Sequence, residues 1–148
     1  MPHAGLMDEH RLGPIEGPVQ RARLHIRGGK RRLRQGKVSA GIVTLYDALL
    51  AAMEWYVNDP SRRKTLLLSN TDDLKNDANV YAVLVRSGVV DGTFDFSTFD
   101  WLVETALREE LDGYDHRALV AGIDRVMTSL GVMPFDEAVL PPEDPETF

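Results

Sequence analysis

The sequence predicts an all-α fold: a small bundle of four main helices, preceded by a basic N-terminal arm able to form a short β-hairpin. Three observations carry this expectation. Residues 39–57 are apolar nearly all the way round, interrupted in the interior only by Thr44, Asp47 and Glu54. At a helical spacing these three share one arc about 80° wide, so the rest of the helix has to be enclosed by other elements. Three later stretches repeat apolar residues at helical spacing between turn residues. The chain is 148 residues long, 43% hydrophobic and free of cysteine. A chain of that size buries enough surface to fold without a disulfide or a cysteine-bound metal.

Charge divides the chain. Residues 1–37 hold nine Lys/Arg and three acids, a local +6, while the remainder holds eight bases and twenty acids, a local −12. Three regions follow: a basic arm over residues 1–37, a helical bundle over 38–131, and an acidic, proline-rich C-terminal tail over 132–148.

Residues 1–18 contain Gly5, Gly13, Pro14, Gly17 and Pro18 and show no period, so they read as a tail. From Gln20 to Arg27 the pattern alternates, with Ala22, Leu24 and Ile26 on one side and Arg21, Arg23, His25 and Arg27 on the other. Period two is the signature of a half-buried strand, and Gly28-Gly29 fits a hairpin turn. The first long helix is expected over residues 38–57, with Ser39 as a cap and Asn58-Asp59-Pro60 as its stop. A short helix or strand follows up to Leu68. A second long helix should start at Asn70 or Thr71, bury Leu74, Ala78, Tyr81, Ala82, Leu84 and Val85, and end at Gly88. A third should be capped by Ser97 and bury Phe99, Leu102, Val103, Ala106 and Leu107, with Trp101 left outside. A fourth should be capped by Asp115, carry the stripe Leu119, Ile123, Val126, Met127 and Leu130, and end at Gly131. Gly122 borders that stripe and allows close packing. The tail has four prolines and five acids and is expected to be extended.

Little catalytic chemistry is legible. Without cysteine there is no thiolate nucleophile, and no histidine pair has the spacing of a helical metal site. Weak metal candidates are Asp112, Asp115 and His116, within an acidic joint at residues 109–116; acids at a turn are more often caps. No cofactor is expected. Gly36-Lys37 fails as a phosphate loop because Val38 stands where Ser or Thr should hold magnesium. Thr44, Asp47 and Glu54 form either a solvent-facing stripe, a polar pocket or a buried link to an arginine. Asp47 and Glu54 are about 10 Å apart along the helix, too far to share one proton.

Tyr46-Asp47-Ala48-Leu49 resembles a helix of the HEPN-type bundles, small proteins of toxin–antitoxin and RNA-processing systems. Active members carry an arginine, four to six residues, then a histidine. Here Arg21 and His25 are separated by three residues and Arg108 and His116 by seven, so the resemblance implies no nuclease role.

The basic arm is the best functional feature in the sequence. Arg21, Arg23, His25, Arg27, Lys30, Arg31, Arg32 and Arg34 are the expected contacts to a partner or polyanion. The first reading is a non-enzymatic, homo-oligomerising interaction module whose arm docks on an acidic partner surface or a neighbouring subunit, with Trp101 as a further interface anchor. The alternatives are a nucleic-acid-associated regulator using the same arm and a metal-dependent enzyme near residues 109–116. Two acids in the apolar helix make a membrane span costly, so a cytoplasmic protein is expected.

Overall fold

The computed structural model describes the backbone of residues 9–147 and the side chains of residues 12–146. Among the described residues there are six α-helices and no strand: α1 (Glu9–Arg34), α2 (Val38–Asn58), α3 (Pro60–Arg63), α4 (Asp77–Arg86), α5 (Phe96–Ala106) and α6 (Arg117–Leu130). Two single 3-10 turns, Glu137–Val139 and Pro145–Thr147, follow. The bundle is therefore all-α, but not of four main helices. Of the tail expected over residues 1–18, residues 1–8 lie outside the described residues, and residues 9–18 already belong to α1, broken once at Gly13 (φ 87°).

The main correction concerns residues 19–34, which form helix and not a hairpin. The alternation that suggested a strand has another cause. Ala22 and Ile26 bury against the core, while Leu24, on the side of Arg27 and Arg31, is buried as well. The C-terminal segment covers that second side through Arg23, Arg27 and Arg31. A helix covered on two sides shows apolar residues closer together than one stripe would.

Gly29 makes no turn either. A Cβ on Gly29 would sit 2.8 Å from Leu45 Cγ, and one on Gly41 would sit 2.7 Å from Leu33 Cδ2 and 3.1 Å from Gly29 O. The two glycines let α1 and α2 approach backbone to backbone. Between the helices, Gly36 (φ 78°) ends α1 with Gly36 N–H donating to Leu33 O at 3.1 Å and Lys37 N–H donating to Arg32 O at 2.9 Å. This Schellman arrangement satisfies two carbonyls and reverses the chain in a few residues.

Helix α2 is the axis of the molecule and touches each of the other five α-helices. Ile42, Leu45, Leu49 and Met53 are buried, as are Ala48, Ala52 and Trp55. By length and composition α2 could cross a membrane, but it is mostly buried within the protein. Ser39 is not its cap. Its Oγ donates to Glu109 O (2.7 Å) and accepts from Leu111 N–H (2.9 Å), while Ser39 N–H donates to Glu110 Oε1 (3.1 Å). A distant carboxylate thus serves the helix start, where charge and dipole favour it.

Helix α4 starts later than its sequence suggests. Asn76 caps it by accepting from Asn79 N–H at 2.9 Å. Val80, Tyr81, Val83 and Leu84 are buried and Ala78 and Ala82 exposed, so the face is turned from the expected one and Val80 and Val83 are core residues. Helix α5 is capped by Asp95, which accepts from Thr98 N–H (3.0 Å) and Oγ1–H (2.7 Å), not by Ser97. Tyr46, Tyr81, Phe94, Phe96 and Phe99 form an aromatic cluster joining α2, α4 and α5, with centroids 5.3–6.3 Å apart. Edge-on, tilted and stacked ring pairs of this kind add to the apolar burial. Ile123, Val126, Met127 and Leu130 of α6 are buried as expected. Gly122 does allow close packing: a Cβ there would meet the Phe94 ring at 2.7 Å. His116, without a side-chain bond, occupies the α6 cap position expected for Asp115.

Candidate functional site

A concavity of about 560 Å³ lies where α1, α2 and the start of α4 meet. Two of its side chains come from consecutive turns of α1: Arg21 and His25, four residues apart on one face. Asp47 and Glu54 face them from α2, with Leu50, Ala51, Met53 and Val57 supplying apolar wall. Asn58 closes one end, and Leu74, Asp77 and Val80 form the third side. The volume lies within the range of known small-molecule pockets.

Helix geometry explains the gathering. Asp47 and Glu54 share the polar arc of α2, and α1 and the start of α4 line the cleft along it. Asp47 and Glu54 both line the cleft, and two further points bear on the expected trio. Thr44 is not part of the cleft; it is buried, and its Oγ1 donates to Ala40 O at 2.7 Å within the helix. Glu54 is also linked to an arginine, the guanidinium of Arg21, at a partly exposed position.

The charges are unevenly matched. Three carboxylates share the cleft with one guanidinium and the imidazole of His25, whose side chain is buried. Burial raises the pKa of Asp47, with Arg21 pulling the other way. Asp77 is also raised, first by desolvation and then by repulsion from Asp100 and Glu54, although much of its surface is open to solvent. Both shifts mean that the negative form is held at a cost.

The expected basic face does not exist as one surface. Arg21 and His25 line the cleft. Arg23 Nε donates to Val132 O (3.1 Å) and the guanidinium lies 5.7 Å from the Phe135 ring centre. Arg27 Nη2 donates to Pro141 O (2.6 Å), with its Nε 3.4 Å from Glu143. Lys30 Nζ is 2.9 Å from Asp124 Oδ1, and Arg31 Nε is 2.8 Å from Glu143 Oε2. Arg32 is buried, and desolvation followed by the nearby Arg31 charge lowers its pKa. Arg34 is exposed. A helix displays these residues around its circumference, so cations that a strand would have aligned point in different directions.

The acidic joint at residues 109–116 is likewise dispersed. Glu110 serves the start of α2. Asp115 accepts two bonds from the Arg117 guanidinium (2.9 and 2.7 Å), which hold its carboxyl down at about 2. Asp112 is exposed, and His116 is half-buried at the start of α6. Among the described residues no three His, Asp or Glu side chains are grouped so as to hold a metal ion. Trp101 is 65% exposed on α5, as the helical phase of its sequence requires.

Sequence reasoning missed Asp77 and Asn58 as members of the cleft. Starting α4 at residues 71–73 turned Asp77 into a mid-helix residue. The signal that could have found the site was the four-residue spacing of Arg21 and His25, visible only once residues 19–34 are read as helix. Comparison with known proteins adds nothing to this geometry: no family model, curated protein or solved structure matches the chain.

Proposed function

We propose that this protein is a non-enzymatic ligand-binding domain whose cleft between α1, α2 and α4 takes a small organic cation with an apolar body. One observation carries the reading: Asp47, Glu54 and Asp77 converge on an apolar-walled cleft with only Arg21 as a fixed counter-charge. A bound ammonium or guanidinium would relieve the cost of holding Asp47 and Asp77 ionised, and Leu50, Met53 and Val57 would cover its alkyl or aryl part. Binding should be stronger at pH 8 than at pH 5, because protonation of the raised carboxyls removes the attraction. Isothermal titration with butylamine, phenethylamine and agmatine, beside the matching carboxylic acids, tests the charge preference. Asp47→Asn and Asp77→Asn should each weaken amine binding about tenfold. Equal binding of acids and amines would refute the proposal.

A second reading, the oligomerising interaction module, is favoured by the two large apolar side chains exposed on and just after α5, Trp101 and Leu107. Removing residues 1–36 would strip α2 of its main neighbour, so the suitable test is Trp101→Glu, with the assembly mass read by light scattering. The reading requires wild type to be larger than a monomer and the variant to be smaller. The nucleic-acid and metal-enzyme readings have less to rest on. Arg21, Arg27, Lys30 and Arg31 already face carboxylates of this chain, and the joint at residues 109–116 is dispersed.

A further inference from the structure

Away from the cleft, two guanidiniums of α1 meet one carboxylate of the C-terminal segment. Arg27 and Arg31 approach Glu143 at 3.4 and 2.8 Å, and the neighbouring Arg32 is within electrostatic reach of Arg31 and Glu143. The fit is imperfect in a specific way. Arg32 is only 8% exposed, yet its buried Nη1 has no hydrogen-bond partner, and Arg27 Nε and Glu143 Oε1, paired at 3.4 Å, do not complete a hydrogen bond. A carboxylate presents two oxygens in one plane. Its two oxygens face Arg27 and Arg31, one turn apart, and Arg32 Nη1 is left without an acceptor.

We propose that Arg27, Arg31 and Arg32 form a binding site for a phosphoryl group on a small molecule, and that Glu143 of the C-terminal segment is its internal stand-in. A terminal phosphate offers three oxygens spread in three directions and up to two negative charges, which matches planar guanidinium donors better than a carboxylate does. The stand-in is releasable. Beyond Phe135 the C-terminal segment holds only single 3-10 turns, Val139 is 76% exposed, and Leu140 and Pro141 are only half-buried. Segments with so little buried apolar surface open locally at small cost. Being tethered, Glu143 competes at a high effective concentration and so masks the site from weak anions. The enclosed position, with Gly28 directly beneath Arg32 Nη1, suits a small ligand over a nucleic-acid backbone. The site is separate from the cation cleft, and neither proposal depends on the other.

The test is titration of the full chain with pyrophosphate, with citrate and a single-stranded RNA 15-mer as further arms at matched ionic strength. Glu143→Gln should bind pyrophosphate at least about tenfold more tightly than wild type, since the tethered charge no longer competes. Adding Arg32→Gln to that variant should abolish the gain. Independently of any variant, saturating pyrophosphate should speed amide hydrogen exchange at residues 139–146 of the wild-type protein, where matched chloride does not. Equal pyrophosphate affinity for wild type and Glu143→Gln, indifference to Arg32→Gln, or unchanged exchange at residues 139–146 would each overturn the proposal. Citrate binding as tightly as pyrophosphate would overturn the choice of phosphate. RNA that responds to Glu143→Gln while pyrophosphate does not would assign the site to a nucleic-acid backbone instead.

Discussion

Gly28 and Gly29 are adjacent in α1, yet their surroundings differ, and this makes them a controlled experiment on the α1–α2 contact. Both lie in helix, and neither has positive φ. Alanine at either position gains about 1 kcal/mol of helix propensity, partly by restricting the unfolded chain. At Gly28 the new Cβ would meet only Arg32 Nη1 at 2.9 Å, the far end of a flexible side chain that can move aside. At Gly29 it would meet Leu45 Cγ and Cδ2, both at 2.8 Å, and Gly41 O at 3.3 Å. Leu45 is fully buried, and the carbonyl belongs to α2 itself, so the helices must separate. Overpacking of this kind costs about 1–3 kcal/mol. Gly28→Ala should therefore be neutral or more stable than wild type by up to about 1 kcal/mol. Gly29→Ala should fall below Gly28→Ala by about 1–3 kcal/mol, because the propensity gain cancels between them. Urea unfolding followed by far-UV circular dichroism measures both on one scale, provided the m-values agree. In thermal melts the two should differ by roughly 2–12 °C for a chain of this size. Finding Gly29→Ala as stable as Gly28→Ala would refute the close crossing. A hairpin turn with both glycines at positive φ predicts similar losses at both, so the same data separate helix from turn.

Other predictions rest on single contacts. Asp95→Ala should cost about 1 kcal/mol in urea unfolding as a lost cap, whereas Ser97→Ala should change little. Ser39→Ala leaves Leu111 N–H and Glu109 O without their partner and should cost about 1–3 kcal/mol, read as a lower urea midpoint. Asp47 has a folded pKa raised above its unfolded value, so the folded state holds its proton more tightly. Its unfavourable contribution is therefore absent below about pH 3.9 and grows as pH rises through the folded pKa. Asp47→Asn should accordingly be stabilising relative to wild type at pH 7 and lose that advantage at pH 3.5. An advantage that grew on acidification would contradict the burial of this carboxyl.

Much of the fold was legible because its signals are local. The apolar circumference of residues 39–57 requires a surrounded helix in any arrangement, and α2 is that helix. The stripe at Ile123, Val126, Met127 and Leu130 and the left-handed ends at Gly88 and Gly131 could be read because spacing and positive φ are properties of a few neighbouring residues. What failed depended on what came to lie alongside. Ala22, Leu24 and Ile26 alternate because two partners cover α1, and one of them, the segment carrying Glu143, is more than a hundred residues away. The glycine pair at positions 28 and 29 has two uses, sharp turn or close crossing, and only the approach of Gly41 chooses between them. Caps slipped for a related reason: several Asp, Ser and Asn side chains compete near each helix start, and packing selects the phase. Composition and charge division were properties of the sequence alone. Which carboxylate meets which guanidinium was decided by the tertiary structure, because ion pairs form across space and leave no spacing in the chain from which to read them.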